Sequence, residues 1–518
     1  MFYSIKDLKK LVKSLSGAEK RHFSLFSSAF AASRKEPVYL RLFRVLTRPG
    51  SELSEFSEKG DFPEYTTIKE RLFRNILKSL RLFHQEKSVE ISIQNYLSDI
   101  EILYGRSLPE QSLYLLQKAY KNAVTYEKFG LLLQILEWEK KLNIVLDNPT
   151  RTIKDIAAEE EIVLQRLLQI MQLKNIYGKA KDMKKQHGNI KGKIIKELDL
   201  EILKAKEMIP YEECASQKAR FYFNFIHALY YWMTFNYKKA YQYSKALLTS
   251  QIQVILPGDY MDGILEHATI CMNTGKFNEA LDILELAQKS MREQKLNYLP
   301  AFSVKLFFYT AGYHSVIYNY MGDRAQLAAA VSRVENGLNL YEKSMPLEAR
   351  YVTNANLMNA YLGLDDGKKV DELWEVLFHK TSKGMRRDIY DDLYLFRLFR
   401  LLQQKVYAVL PAMALSAYRH YRQLRDNPLH FDLELKITGI LLKEHDYENP
   451  RIRNEVLHEI KGILIHHISN LKGANNFQEH YSLYVIWTDS MLKEQPFHEA
   501  AACWYKAYIN GNREQPEE

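Results

Sequence analysis

The chain is poor in the residues that interrupt helices. Its 518 residues include 21 glycines and 14 prolines, together about half the share found in an average protein. Valine, which favours strands, occurs 19 times against 69 leucines. Because leucine favours helices and β-branched residues favour strands, this composition predicts an all-α fold and argues against a sheet.

Cysteine is also scarce, with Cys214, Cys271 and Cys503 far apart in the sequence. This number and spacing exclude a disulfide framework and a zinc site built on a Cys-x-x-Cys pair. Lysines at positions 6, 9, 10 and 13 interrupt the start of the chain, so no secretory signal is predicted. We therefore expect a cytoplasmic protein.

Long hydrophobic runs are absent as well. The most apolar stretch, residues 221–235, has only 15 residues and contains Asn224 and His227. A membrane-spanning helix needs about 20 apolar residues. We therefore predict a buried helix here and no membrane partner.

Catalytic and metal-binding motifs are missing too. The nearest approach to a phosphate loop, residues 188–194, is one residue short, lacks the final hydroxyl and follows a helix rather than a strand. The 15 histidines are scattered, and neither H-E-x-x-H nor G-x-S-x-G occurs. We predict a protein that is not an enzyme and has no cofactor and no metal site.

What the sequence does contain is a recurring turn, in which an aromatic residue is followed three positions later by alanine. It occurs as Tyr237-Lys-Lys-Ala240, Phe277-Asn-Glu-Ala280 and Phe497-His-Glu-Ala500, with weaker copies at 321–327 and 364–370. The turns from 237 to 367 recur every 40 to 47 residues. Such a period predicts stacked helix pairs, because one pair cannot bury its apolar face alone.

The clearest unit, residues 261–293, resembles the tetratricopeptide repeat (TPR). The matching positions are the small Ala268 of the first helix, Gly275 of the turn, the aromatic Phe277, and Ala280 and Ala287 of the second helix. The resemblance implies an αα-superhelix, or solenoid, with a concave surface that holds a ligand. We assign residues 93–508 to this TPR-like array.

The resemblance also implies which side chains face the groove. Mapped onto this sequence, the inner positions are Tyr222, Phe225, Trp232, Leu265, Met272, Asn273, Asn319 and Asn359. Asparagine amides can pair with the backbone of an extended peptide while aromatic residues take its side chains. The alternative interpretation places these aromatic residues in the core between helices.

Charge is concentrated at the start of the chain. Residues 1–90 contain 18 Lys and Arg against 11 Asp and Glu, a net charge of +7 out of +9 for the whole chain. This excess predicts a small basic helical module at 1–90, ahead of the array. Residues 509–518 are polar and are predicted to be a disordered tail.

Two helix starts are predicted inside this module. Ser16-Gly-Ala-Glu19 and Thr67-Ile-Lys-Glu70 both have the spacing of a capping box. On the second helix, the cations fall within a stripe of about 80° opposite an apolar face. They are Arg71, Arg74, Lys78 and Arg81.

The sequence therefore supports two functional hypotheses. The first is a non-enzymatic scaffold or adaptor that binds a protein or peptide in a concave groove. The alternative is a regulatory protein whose basic stripe contacts nucleic acid while its repeats sense a peptide or protein partner. Against the alternative, cations on an exposed helix are often simply solvated.

Overall fold

The computed structural model describes residues 5–29, 37–48, 63–84, 88–149, 151–190, 194–251, 253–293, 300–341, 344–379, 386–424, 431–443, 445–470 and 479–513. These residues are mostly α-helical, and no strand occurs among them, which confirms the all-α fold class. The chain divides into two compact units. The first comprises Met1–Gln165 and Lys295–Pro300, and the second comprises Arg166–Gln294 and Ala301–Glu518.

In the described residues, the first unit contains seven helices and the beginning of an eighth. They are α1 (Ile5–Ser14), α2 (Gly17–Ala29), α3 (Val38–Thr47), α4 (Pro63–His84), α5 (Val89–Tyr104), α6 (Pro109–Thr125), α7 (Phe129–Val145) and the first part of α8 (Ile153–His187). Helices α1–α4 share an apolar core that includes Val12, Phe23, Leu42, Leu72 and Ile76. The predicted change of module near residue 90 stays a prediction, because this unit contains helices on both sides of it.

The two predicted capping boxes have different outcomes. At the start of α2, the Ser16 N–H donates to Glu19 Oε2 at 2.7 Å, and the Glu19 N–H donates to Ser16 Oγ at 3.3 Å, which confirms the first. The second is wrong, because α4 already begins at Pro63, so that Thr67 lies inside the helix. Proline starts a helix readily, since its fixed φ is helical and the first turn needs no N–H donor there.

The second unit contains the rest of α8 and fifteen further α-helices in the described residues. They are α9 (Ile194–Leu198), α10 (Gln217–Met233), α11 (Tyr237–Leu247), α12 (Pro257–Asn273), α13 (Phe277–Glu293), α14 (Pro300–Met321), α15 (Arg324–Tyr341), α16 (Leu347–Gly363), α17 (Gly367–His379), α18 (Arg387–Gln403), α19 (Leu410–Leu424), α20 (Asp432–Leu441), α21 (Pro450–Asn470), α22 (Glu479–Leu492) and α23 (Phe497–Arg513). Most successive helices pack against each other, as in an α-solenoid.

The recurring turns lie where the sequence placed them. In each of the three clearest turns the aromatic residue is the first residue of the second helix of its pair, in α11, α13 and α23. Both the aromatic residue and the alanine three positions later are buried at all three turns. Gly275 ends α12 with a φ of 72°, a conformation that glycine adopts without strain.

The most apolar stretch forms α10 and is buried on nearly all sides, as expected for a helix packed between others. Its N-terminus is capped by Ser216, whose hydroxyl accepts from the Ala219 N–H at 3.1 Å. None of the described helices combines the length and the apolar character that crossing a bilayer requires.

The last helix pair packs back onto earlier parts of the second unit. The Tyr508 hydroxyl on α23 donates to the Thr274 carbonyl at 3.1 Å, and the Tyr484 hydroxyl on α22 donates to Asp392 Oδ1 at 2.6 Å. The tail predicted from residue 509 is wrong for 509–513, which continue α23. These residues extend a helix that is already anchored by its packing, and 514–518 lie outside the described residues.

Candidate functional site

A cavity of about 370 Å³ lies within the second unit. Side chains from the end of α8, from α10, α12, α14, α16, α18, α19 and α20, and from α22 reach its wall. Side chains of the chain itself therefore occupy part of the space along the inner surface of the stacked helices. The last helix pair contributes through Leu483 on α22.

One part of the wall is built from side-chain amides. Asn189, Asn273, Asn356, Asn359 and Gln423 all line the cavity. The Oδ1 atom of Asn359 is buried and has no hydrogen-bond partner among the described residues. An unpaired buried acceptor is costly, so Asn359 has unmet hydrogen-bonding capacity beside the cavity.

A second part of the wall is aromatic. Trp232, Tyr313 and Tyr421 line it, and each has its polar atom engaged. The Trp232 Nε1–H donates to Asn273 Oδ1 at 2.7 Å, and the Tyr421 hydroxyl donates to the Asp391 carbonyl at 2.8 Å. These hydrogen bonds fix the rings, so their faces form a rigid apolar surface.

Acidic residues outnumber basic residues on the cavity wall. Two arginines, Arg386 and Arg387, oppose four carboxylates, a formal net charge of −2. The four are Asp388, Asp391, Asp392 and Glu434. Burial, with a smaller effect from Arg387, lowers the pKa of His187 on the same wall, which therefore stays neutral at pH 7.

The carboxylates are held in place by neighbours. Arg386 binds Asp388 through two hydrogen bonds, from Nε at 2.9 Å and from Nη2 at 2.8 Å. Asp391 Oδ1 lies 2.9 Å from Nε2 of His420. The Tyr481 hydroxyl donates to Glu434 Oε1 at 3.2 Å. The wall is thus acidic and preorganised.

Gly188 explains how the end of α8 reaches this wall. Its φ is 66°, and a Cβ at this position would lie 2.1 Å from the Asp388 carboxyl group. Only glycine allows both the turn and this close approach. The next residues then attach to other helices, since the Asn189 N–H donates to Asp388 Oδ2 at 3.3 Å and the Ile190 N–H to the Met233 carbonyl at 2.8 Å.

Four of the predicted groove positions meet at this cavity. Trp232, Met272, Asn273 and Asn359 all line it, although they come from three different helices. The repeat register therefore brings α10, α12 and α16 to one inner surface.

The other four predicted groove positions are packed between helices. Tyr222, Phe225 and Leu265 are almost fully buried. The ring of Tyr177 lies 5.5 Å from that of Tyr222 and 4.8 Å from that of Phe225. Asn319 is 1% exposed, and its Nδ2 donates to the Asn359 carbonyl at 3.0 Å. For these aromatic residues the structure agrees with the core interpretation.

The carboxylates of α18 were not among the predicted site residues. The sequence Arg386-Arg387-Asp388, followed by Asp391 and Asp392, carries dense charge at the start of a helix whose later residues are mostly apolar. This contrast between charged and apolar positions is a sequence signal from which these aspartates could have been predicted as site residues. The spacing places the three aspartates on neighbouring positions of one helix face.

The predicted basic stripe is exposed on α4 in the first unit. Arg71, Arg74, Lys78 and Arg81 are all exposed, while Leu72 and Ile76 on the opposite side are fully buried. Arg74 pairs with Glu70 at 2.6 Å, and the Arg71 guanidinium lies 5.2 Å from the centre of the Tyr39 ring. In the described part of the chain, Lys78 and Arg81 form no ion pair.

A separate group of metal-ligating residue types lies in the second unit. His267, Cys271 and Glu279 bring one ligand atom each to within 4.8 Å of one another. His267 and Cys271 are fully buried on α12, and Glu279 lies on α13. Sequence motifs do not reveal this group, because it depends on how two helices pack.

Comparisons with known proteins leave the chain without an assigned family. No family model matches it, and neither the curated proteins nor the solved structures contain a match. Its function is therefore inferred from the geometry of its own residues.

Proposed function

We propose that this chain is a non-enzymatic, TPR-like scaffold or adaptor of the cytoplasm that binds a short basic segment of a partner protein in the cavity of its second unit. The observation that carries this proposal is the combination of amide, aromatic and acidic side chains on one wall.

The amides support recognition of a peptide backbone. A carboxamide both donates and accepts hydrogen bonds, as does each peptide unit of an extended chain. Asn273 is already oriented by Trp232, whereas the buried Oδ1 of Asn359 has no partner among the described residues. A backbone N–H of the peptide would satisfy that atom.

The net charge and the volume support a short basic segment. Four carboxylates against two arginines make the wall favourable for a lysine or arginine side chain and unfavourable for an acidic one. A volume of about 370 Å³ lies in the range of small-ligand pockets, which limits the bound stretch to a few residues.

The chemistry of the wall supports binding rather than catalysis. Among the described residues that line the cavity, none is serine, cysteine or lysine, and the carboxylates of Asp388, Asp391 and Glu434 are each engaged by a neighbouring side chain. The one threonine, Thr269, donates its hydroxyl to the Leu265 carbonyl at 2.9 Å and lies 2.7 Å from the Tyr313 hydroxyl. Neither of these two partners is a carboxylate or an imidazole, the side chains that most often act as general bases.

The experiment is a direct binding measurement with synthetic peptides. Fluorescein-labelled libraries of short capped peptides, one enriched in lysine and one in glutamate, are titrated with the full chain and followed by fluorescence anisotropy. We expect the lysine library to bind more tightly, and Asn359→Leu to weaken that binding about tenfold, because it removes a buried acceptor.

The matched control is Asn336→Ala, which changes an exposed asparagine on α15 and should leave binding unchanged. Equal binding of the two libraries, or equal affinity of Asn359→Leu and the wild type, would contradict the proposal. Circular dichroism establishes that both variants retain their helices.

A second candidate function rests on the exposed basic stripe of α4. Its four cations stand in one row, and two of them have no acidic partner among the described residues. This arrangement favours contact with phosphate groups of nucleic acid. Nucleic-acid binding would be a function of the first unit, whereas peptide binding in the cavity would be a function of the second.

A further inference from the structure

We propose that His267, Cys271 and Glu279 form a binding site for one Zn²⁺ ion in the second unit. None of the three lines the peptide cavity, so this inference does not depend on the proposed function. The ion would join α12 to α13 and thereby stabilise the clearest repeat of the array.

The helices place the three ligands on one side. His267 and Cys271 are four residues apart on α12, and side chains at this spacing lie on the same helix face. Glu279 lies in the first turn of α13, which follows the tight turn at Gly275. The two helices therefore bring the carboxylate back against that face.

Two of the three distances between the ligand atoms match those of tetrahedral zinc, and the third, between sulfur and oxygen, is within 4.8 Å. Cys271 Sγ lies 3.6 Å from His267 Nε2, and that nitrogen lies 3.4 Å from Glu279 Oε1. Typical zinc bond lengths give tetrahedral edges of about 3.5 Å between sulfur and nitrogen and about 3.4 Å between nitrogen and oxygen. The fourth position remains for water.

The outer hydrogen bonds orient the ligands as zinc sites require. Ser244 Oγ lies 2.9 Å from His267 Nδ1 and 3.2 Å from the Tyr241 carbonyl oxygen, so it can accept from an Nδ1–H while it donates to that carbonyl. In this tautomer, which zinc binding through Nε2 requires, the lone pair of Nε2 is directed at Cys271 and Glu279. The Tyr241 hydroxyl donates to both carboxylate oxygens of Glu279, at 2.8 and 3.1 Å.

Without an ion, His267 can take the other tautomer, in which its Nε2–H faces Glu279 Oε1 at 3.4 Å. Zinc would replace this contact by bonding to the imidazole, the carboxylate and the thiolate. The thiol proton leaves to solvent, so each bound ion releases one proton.

Neighbouring charges make the binding depend on pH. Lys276 Nζ lies 4.0 Å from Glu279 Oε2, and both Lys276 and Lys245 lie over the Tyr241 ring. Because zinc binds the thiolate and the neutral imidazole and competes with protons for both, its affinity should fall with falling pH.

The ion has a route to the site. His267 and Cys271 are 0% exposed, but the side chain of Glu279 is 33% exposed. This carboxylate can therefore meet the ion at the surface and pass it to the buried nitrogen and sulfur.

The test uses the full chain freed of metal with a chelator and titrated with Zn²⁺ and, separately, with Co²⁺. Elemental mass spectrometry measures the zinc content, and absorption spectroscopy detects the thiolate-to-cobalt charge-transfer band. We expect one ion per chain, a cobalt–thiolate band, and one proton released for each ion bound.

The variants separate this site from other cysteines. Cys271→Ser should lose the cobalt–thiolate band, and Glu279→Gln should weaken zinc binding at least about tenfold. Two control variants, Cys214→Ser at another buried cysteine and Cys503→Ser at an exposed one, should retain the cobalt–thiolate band and the wild-type zinc affinity. Because Glu279 is partly exposed, its variant remains informative if Cys271→Ser fails to fold.

Two results would overturn the proposal. One is a folded wild-type chain that binds no Co²⁺ with a thiolate band, which would show that the three residues only hydrogen-bond to one another. The other is a Glu279→Gln variant that binds zinc as tightly as the wild type.

Discussion

Helices α1–α4 of the first unit and the cavity of the second unit place their polar groups in opposite ways. The first four helices bury an apolar core and direct Arg71, Arg74, Lys78 and Arg81 into solvent. The second unit also buries apolar residues, but it directs amides and carboxylates towards an inner cavity.

The difference concerns how selective each surface is. Exposed cations are hydrated and screened by salt, so they attract any polyanion and discriminate little. Acceptors in a confined cavity, such as the carboxylate of Glu434, are only poorly solvated and must be matched by donors of the ligand. We therefore expect the basic stripe to bind polyanions with little selectivity, and the cavity to select its ligand by matched hydrogen bonds.

The largest expected effect concerns how the second unit closes on itself. Gly322 has a φ of 70°, and a Cβ there would lie 2.4 Å from the Ala502 nitrogen and the His498 carbonyl oxygen on α23. Gly322→Ala should lower the free energy of unfolding by about 3 kcal/mol, because neither backbone can move freely. Urea denaturation followed by circular dichroism measures it.

The control for this variant is Gly439→Ala in the interior of α20, where no atom lies within 4 Å of the added carbon. It should raise the free energy of unfolding by up to about 1 kcal/mol, since alanine is the better helix former. If the two variants had the same stability, the packing of α23 against Gly322 would be wrong.

The next effect tests the basic stripe. Its variant replaces by alanine the residues Arg71, Arg74, Lys78 and Arg81. We expect at least about a 100-fold loss of affinity for a short DNA duplex at low salt, with a shallower salt dependence, because phosphate contacts are lost. Fluorescence anisotropy at several salt concentrations measures both.

A charge-matched control replaces four lysines of α1, namely Lys6, Lys9, Lys10 and Lys13. It removes the same charge from the same unit and should retain most of the affinity. Equal losses in the two variants would mean that net charge, and not the stripe, attracts DNA. Absence of binding by the wild type would remove nucleic acid as a candidate partner.

A smaller effect sharpens the specificity of the cavity. Glu434→Gln keeps a hydrogen-bond acceptor for Tyr481 but removes one negative charge from the wall. We expect the preference for lysine over glutamate peptides to fall about tenfold, which corresponds to about 1.4 kcal/mol. Glu455→Gln, on the exposed face of α21, should leave the preference unchanged.

The smallest effect concerns Glu19 at the start of α2. Burial alone would raise its pKa, but hydrogen bonds from Ser16 and the neighbouring His84 outweigh burial and hold it below the ordinary value. The stabilisation is therefore present above about pH 4.3 and is lost as the pH falls through the lower pKa of the folded chain.

Replacing Glu19 by glutamine should accordingly lower the free energy of unfolding by about 1 kcal/mol at pH 7, with the difference disappearing in acid. Denaturation at several pH values checks this. Glu70→Gln, at an exposed ion pair, should change the stability by no more than about 0.5 kcal/mol at any pH.

The repeating helices could be predicted because their signals are local. An aromatic residue and an alanine one turn later are buried at every clear turn, so Phe277 and Ala280 mark the start of α13 in the sequence itself. The capping box at Ser16 is equally local. The predicted start of α4 is wrong because a proline four residues before Thr67 initiates the helix first.

The cavity could be predicted only in part because its wall comes from distant segments. The inner positions of α10, α12 and α16 followed from the repeat, and they include Trp232 and Asn359. The aspartates of α18 reach the same wall through contacts such as that of Asp392 with Tyr484, 92 residues away. A periodic pattern contains no information on such pairs.

The binding of a peptide in the cavity is tested most directly by hydrogen–deuterium exchange of the full chain, with and without a saturating lysine-rich peptide. Exchange should slow in Pro257–Asn273, Leu347–Gly363 and Arg387–Gln403, whose side chains line the cavity, while α1–α4 remain unchanged. Unchanged exchange in these three helices, or protection confined to the first unit, would contradict a peptide site in the second unit.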